Sequence, residues 1–284
     1  NNLFFGGQGV QTLAFAGAGG LGAGVGVKAT SIYRPTVTAT LSGSTEIDVT
    51  GDVTVSSEAE GKADSTGIGV AVGALGVGFV QTTSQVGGAV SATGAGRIKA
   101  RNLTITGKAD LNGEALSVAA AGGLISAAIN SADVSVTPSV SADIASRSII
   151  ATSENVNISA TTRSVFDSDS IGLNSGAVSV GSSNVRLTLS PTVFAGVGSS
   201  SIIEANGQIS ILADVIENRS DAKTTASSGN LLGFTGLVIS QIVNSDVNAD
   251  IGASTVLSGF GGVSILSSDP RTWGSVVMAQ SNDR

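Results

Sequence analysis

A triplet of aliphatic, polar and aliphatic residues that returns at a nearly constant distance constrains this chain more than any other feature. It stands as Val53-Thr54-Val55, Leu103-Thr104-Ile105, Val156-Asn157-Ile158, Ile209-Ser210-Ile211 and Val263-Ser264-Ile265. Successive first positions lie 50, 53, 53 and 54 residues apart, which makes this a repeat protein. Inside each triplet the alternation has period two, the signature of a strand with one face turned inward.

A second anchor precedes each triplet: Val37-Thr38-Ala39, Val90-Ser91-Ala92, Val140-Ser141-Ala142, Val193-Phe194-Ala195 and Val247-Asn248-Ala249. From its Val to the first residue of the triplet the distance is 16 in four units and 13 in the second. The short unit has therefore lost three residues between the anchors, and their place is a turn, not a strand. Between the anchors stands one aliphatic residue (Ile47, Ile98, Ile150, Ile203, Leu257), which marks another short strand. Around it lie Gly, Ser and Asn, as in Ser42-Gly43-Ser44 and Ala205-Asn206-Gly207, and these are read as the positive-φ residues of tight turns.

After each triplet comes a polar run and then an apolar segment dense in small residues, such as Ile68-Gly69-Val70-Ala71-Val72 continuing to Phe79. Its counterparts run over 13–27, 116–129, 171–180 and 231–243. A helix would carry roughly 1 kcal/mol of penalty at each interior Gly, so these segments read as strands with large side chains on one face and almost none on the other. A face without side chains lets another backbone layer approach closely.

Five units of roughly 53 residues, each with four or five short strands, define an all-β chain. Two architectures compete: a β-solenoid resembling a parallel β-helix, and a five-bladed β-propeller. Blade signatures rich in Trp and His are missing from a chain with one Trp and no His, so the solenoid is preferred. Its unit exceeds the usual repeat of about 20–45 residues and is expected to hold two or three turns of the coil. The tandem repeats occupy 14–269, with 1–13 a cap or divergent copy and 270–284 the start of a further repeat. The start without Met and the broken last unit suggest a piece of a longer array.

With 41% hydrophobic residues the chain can build a core, while aromatics at 4% leave too few for the girdles of a membrane barrel. No apolar run reaches about 18 residues without heavy Gly content, so a membrane-crossing helix is not expected. A net charge of −7 argues against nucleic acid as a partner. Zero Cys removes disulfides and thiolate chemistry, and suits exoproteins that cross an envelope unfolded.

The Gly/Ala-rich strands, the Val-x-Ala and Val-x-Ile strands (Val140-Ser141-Ala142, Val156-Asn157-Ile158) and the lack of Cys together resemble the repeat regions of large secreted bacterial filamentous adhesins, the filamentous haemagglutinin-like exoproteins. The resemblance runs from about Leu13 to Asp269 and is one of style, since this period is longer. It implies a right-handed parallel β-helix shaft, export to the cell surface and a role in attachment or matrix building.

Without His a Ser-His-Asp triad is impossible. Glu58 with Glu60 and Asp167 with Asp169 place carboxylates on one strand face, as an acid/base or calcium pair would require, but neither recurs and Lys62 follows the first. A solvated outer face is the simpler reading. Arg97, Lys99 and Arg101 alternate, as on a charged strand edge that discourages pairing. Tyr33 with Arg34, and Arg271 with Trp273, are the candidate ligand or interface contacts, each beside a proline and hence in a turn. No catalytic, cofactor or metal residues are assigned. The sequence reads as a structural, non-catalytic shaft or filament-forming subunit, extracellular or at the cell surface, with other copies of itself as partners. A ligand-binding adhesin segment, facing surface glycans or matrix, is the alternative, and a polysaccharide-active β-helix enzyme the third reading.

Overall fold

The computed structural model describes residues 9–269, and every regular element in them is a β-strand. The first coil holds β1 (Gly9–Tyr33) and β2 (Thr36–Thr40), and the next begins with β3 (Glu46–Asp48) and β4 (Val53–Gly94). Then follow β5 (Arg97–Ala100), β6 (Leu103–Ile144), β7 (Ile149–Thr152), β8 (Val156–Leu189), β9 (Thr192–Val197) and β10 (Ile202–Ala205). The last are β11 (Ile209–Val243), β12 (Asp246–Ile251), β13 (Val256–Gly259) and β14 (Val263–Ser268).

The fold is a parallel β-solenoid. Its main sheet stacks β1-β4-β6-β8-β11-β14, with β2, β9 and β12 continuing it, and a small second sheet stacks β3-β5-β7-β10-β13. Val53 pairs with Leu103, Leu103 with Val156, Val156 with Ile209 and Ile209 with Val263, all in parallel ladders. The Val-x-Ala anchors stack in the same way, Val37 on Val90, Val140, Val193 and Val247. A propeller blade pairs strands within one unit, whereas these ladders join one unit to the next.

One unit is one coil, which corrects the expectation of two or three turns per unit. The residues expected to form extra turns go instead into a strand that runs out, reverses and returns. Ser84 Oγ donates to the Ala63 carbonyl at 2.6 Å, the Ser170 and Ser183 hydroxyls meet at 2.8 Å, and Asn174 Nδ2 donates to the Val180 carbonyl at 3.1 Å. Each long strand is therefore two antiparallel arms lying face to face. They reverse around Gly20-Leu21, Gly73-Ala74, Gly123-Leu124 and Gly176-Ala177, where the coil-to-coil ladder skips Leu21, Ala74, Leu124 and Ala177.

Side-chain size tapers along the blade. At its broad base, closed by the small sheet, Ile98, Leu103, Ile105, Ile144, Ile150 and Ile158 are fully buried. Midway the interior turns to Ser65, Thr82, Ser84, Ser117, Ser168 and Ser170, all buried. Nearer the tip it is mostly Gly, Ala and Ser with a few Val such as Val80, and a Cβ on Gly69 would come within 2.8 Å of the Val80 side chain on the opposite arm. The small face of the Gly/Ala segments is thus the inner one.

The three residues missing from the second unit come out of turns, as the spacing predicts. Only Ala95-Gly96 joins β4 to β5, where 145–148 joins β6 to β7, and 101–102 stands where the next coil has 153–155. Positive φ falls at Gly96 and Gly262 and at Arg147, Ser200 and Ser254, not at Gly43 or Gly207, where the turn chemistry had placed it. Arg97, Lys99 and Arg101 do not mark an edge either, because β5 is bonded to β3 on one side and β7 on the other.

Candidate functional site

In-register stacking places like residues over like, so every outward position becomes a column along the axis. At one of them Asp64, Glu114, Asp167 and Asp221 lie in successive coils about 4.8 Å apart, a spacing at which like charges repel. Cations answer part of this charge. Lys62 Nζ sits 3.0 Å from Asp64 and 2.8 Å from Glu114. Two outward columns back along the strand Arg163 links Asp110 at 3.4 Å to Glu217 at 2.8 Å, and one column further Lys108 holds Glu58 at 2.6 Å. The Glu58–Glu60 pair is thereby drawn into the charge network of the outer face.

Asp167, exposed, and Asp169, half-buried, share that face and have no ion-pair partner within salt-bridge distance among the described residues. Burial raises the pKa of both, and Asp221 and Glu114 add to the rise; Lys223 opposes it at Asp169 and Arg219 at Asp167. Burial likewise raises Asp64, Asp133 and Asp143. Asp52 is the opposite case, held well below the usual range by its hydrogen bonds from Arg101 and Asn102. A folded-state pKa above the unfolded value means that the native chain binds the proton more readily, so stability grows as pH falls from neutrality towards about 4. Asp52 keeps its contribution throughout this window, because that contribution fades only below the ordinary aspartate value. The melting temperature is accordingly expected to rise between pH 7 and pH 4.5, and Asp167→Asn to raise it at pH 7 by about 1–2 °C while flattening the profile. Thermal melts across that range read both effects.

The groups singled out by sequence separate in space. Tyr33 turns inward: its hydroxyl donates to the Glu60 carbonyl at 2.9 Å, and its ring covers Gly61 and packs against the core. Arg34 points outward and donates from Nη2 to Gln85 Oε1 at 2.7 Å. Tyr33 is therefore a plug of its coil and not half of an exposed aromatic and arginine patch. Arg271 and Trp273 lie outside the described residues. The Thr38 column continues as Ser91, Ser141, Phe194 and Asn248, so no threonine ladder forms.

Two features escaped the sequence reading. A polar ladder precedes the triplets: Asn102 Oδ1 accepts from the Asn155 backbone N–H at 2.9 Å, and Asn155 Oδ1 from that of Gln208 at 2.9 Å. Asn102 Nδ2 also donates to Asp52 and Glu154, both at 2.9 Å. Its signal was present, since Asp52, Asn102, Asn155 and Gln208 each stand just before a triplet. The second feature is an open trough of about 680 Å³ along the small sheet, lined by Asp48, Lys99, Arg101, Ala151 and Glu204 among others. Its cations are engaged, Lys99 with Asp48 at 3.2 Å and Arg101 with Asp52 at 2.8 Å. Such a trough can hold an extended polar chain only by exchanging those partners.

Among the described residues no three carboxylates converge on a metal-sized site, and no helix is long and apolar enough to cross a membrane. Comparison with protein-family models finds no match, and neither curated proteins nor solved structures give a significant one.

Proposed function

We propose that this chain is a segment of a structural, non-catalytic shaft, or a filament-forming subunit, of an extracellular or cell-surface bacterial assembly. The observation that carries the reading is the axial ladder that joins every coil to the next. Strands of up to 42 residues bond in register to the coil before and the coil after, and the same residues recur in each coil. Such a stack resists bending because hydrogen bonds run along its axis, and any coil can template another above it. A head-to-tail contact of this kind does not close on itself, so it grows into a filament. The Val-x-Ala and Val-x-Ile strands that resemble filamentous haemagglutinin-like repeats support the extracellular setting.

The trough lined by Lys99 and Arg101 favours a second reading, a ligand-binding adhesin segment that takes a surface glycan. Negative-stain electron microscopy over a concentration series, run with a glycan array, separates the two. Unbranched filaments that lengthen with concentration, with no glycan retained, are the expected result. Particles that stay single at every concentration and retain a glycan, with retention lost in Lys99→Ala/Arg101→Ala, would overturn the structural reading.

A further inference from the structure

The distal half of the blade is patterned inside out. Coils built from β4, β6 and β8 are covered above and below, so their exposure is lateral and belongs to the blade itself. Yet Leu124 is 67% exposed, Ile125 53%, Leu75 52% and Val178 37%, while Ser117, Ser126, Asn130 and Ser179 are buried between the arms. Shifting these strands by one residue would exchange the two sets, and in water the hydrophobic effect favours that exchange. The inner glycines oppose it, because even a Cβ at Gly67 or Gly69 would come within 2.9 Å of the Val80 side chain that already fills the space between the arms. The fold thus holds aliphatic groups outward over both faces and around the tip.

We propose that this apolar tip inserts edge-on into one leaflet of a lipid membrane. Three observations select lipid over a second copy of the chain. The apolar zone runs from Ile68 to Phe79 through the reversal, so each arm contributes five residues, about 16 Å, close to the ~15 Å of one leaflet's hydrocarbon. Over five coils each face measures roughly 400 Å², part of it taken by Gly24 and Gly26 in the first coil and by Thr225 and Ser227 in the last, so the apolar area is less than half of the ~800 Å² a stable interface takes from each partner, and a copy seated on one face leaves the other face and the tip in water. Hydrocarbon wets all three at once. The main-chain groups of both arms, finally, are bonded from coil to coil along the axis on either side of the reversal, so they point along the stack and not out of its lateral faces into the lipid. Where the apolar zone ends, Asp64, Glu114, Asp133 and Arg186 stand at headgroup level. The insertion does not depend on the shaft reading, and failure to form filaments would leave it untouched.

The test uses the absence of native cysteine. A Leu124→Cys chain carrying an environment-sensitive fluorophore is mixed with phosphatidylcholine vesicles, with the label at Thr104→Cys near the base as control. The expected result is a blue shift and several-fold brightening at 124, quenched by lipids brominated in the acyl chain, and no change at 104. Leu75→Gln/Ile125→Gln/Val178→Gln, three outward positions, is expected to lower co-flotation with vesicles at least tenfold at an unchanged melting temperature. A label at 124 that responds to protein concentration alone and ignores vesicles would overturn the proposal in favour of a second copy. A label that responds to neither would overturn it outright.

Discussion

Replacing Val140 by Asp is expected to destabilise the solenoid by more than about 4 kcal/mol, the largest effect of any single change considered. Val140 is 1% exposed and sits in the column formed with Val90 and Val193, which are equally enclosed. A carboxylate there finds no cation and no donor, because the base is filled by aliphatic side chains such as Ile105, Ile144 and Ile158. Stability in a stacked array is a sum over neighbouring coils, so the damage concentrates on the coil of β6 and the two it touches. Denaturant unfolding of the variant is expected to lose the single transition and show a weak first one. Two controls locate the cause: Val140→Ala costs only about 2–3 kcal/mol through the cavity, and Ser141→Asp, on the outward face next door, less than about 1 kcal/mol. Equal losses from Val140→Asp and Ser141→Asp would show that the anchor column is not the core.

Gly96→Val is expected to cost about 3 kcal/mol or more. The second unit makes with Ala95-Gly96 a corner that its neighbour makes with four residues, and it does so at a φ of +92° at Gly96. A side chain there meets two obstacles. The conformation is one that L-residues with branched Cβ atoms do not adopt, and the Cβ would fall on the Thr45 carbonyl oxygen of the preceding coil. That oxygen cannot withdraw, since it accepts the Arg97 N–H at 2.9 Å. Gly43 faces open space and lacks positive φ, so Gly43→Ala is the matched change expected to leave the melting temperature within a degree or so. Thermal unfolding of the two variants side by side reads the difference.

Much of the base of the coil was legible in the residues. In the inner coils Val-x-Ala and the aliphatic triplets are buried columns, and Ile98, Ile150 and Ile203 lie in the small sheet where a lone aliphatic had marked a strand. Identical residues at fixed spacing can stack in register only if they sit in the same kind of hole, and this carries the solenoid fold from the sequence alone. The number of coils per unit was not legible. Periodicity measures the length of chain between equivalent points, and the same length is compatible with several small turns or with one turn drawn out into a blade. The choice is made by the Ser, Gly and Ala of the inner face, which let the two arms of β4 and β6 lie against each other.

The candidate contacts were the least legible part. An aromatic residue next to Arg34 suggests an exposed binding pair, but alternation along β1 sends its last residue, Tyr33, inward, and Arg34 just after it points outward. The charged columns were hidden for a different reason: Asp64, Glu114, Asp167 and Asp221 become neighbours only when the register is known, and the second unit is three residues short. Once the chain is aligned by coil, the stacking of like charges and the response of Lys62 follow directly.

Each repeat forms a single coil, and its strands lie in register over those one unit away, apart from a one-residue bulge at Ile216 and the reversals. The most direct measurement is disulfide formation between introduced cysteines at Thr104 and Asn157, which are outward-facing and paired, with Thr54 and Asn157 as the control two coils apart. Cysteines on adjacent coils lie about 4.8 Å apart and can be bridged, while those two coils apart lie near 9.6 Å and cannot. The account predicts rapid intramolecular cross-linking of Thr104→Cys/Asn157→Cys on mild oxidation, and none for Thr54→Cys/Asn157→Cys. A chain in which the first pair stays reduced, or in which both pairs close equally well, would contradict it.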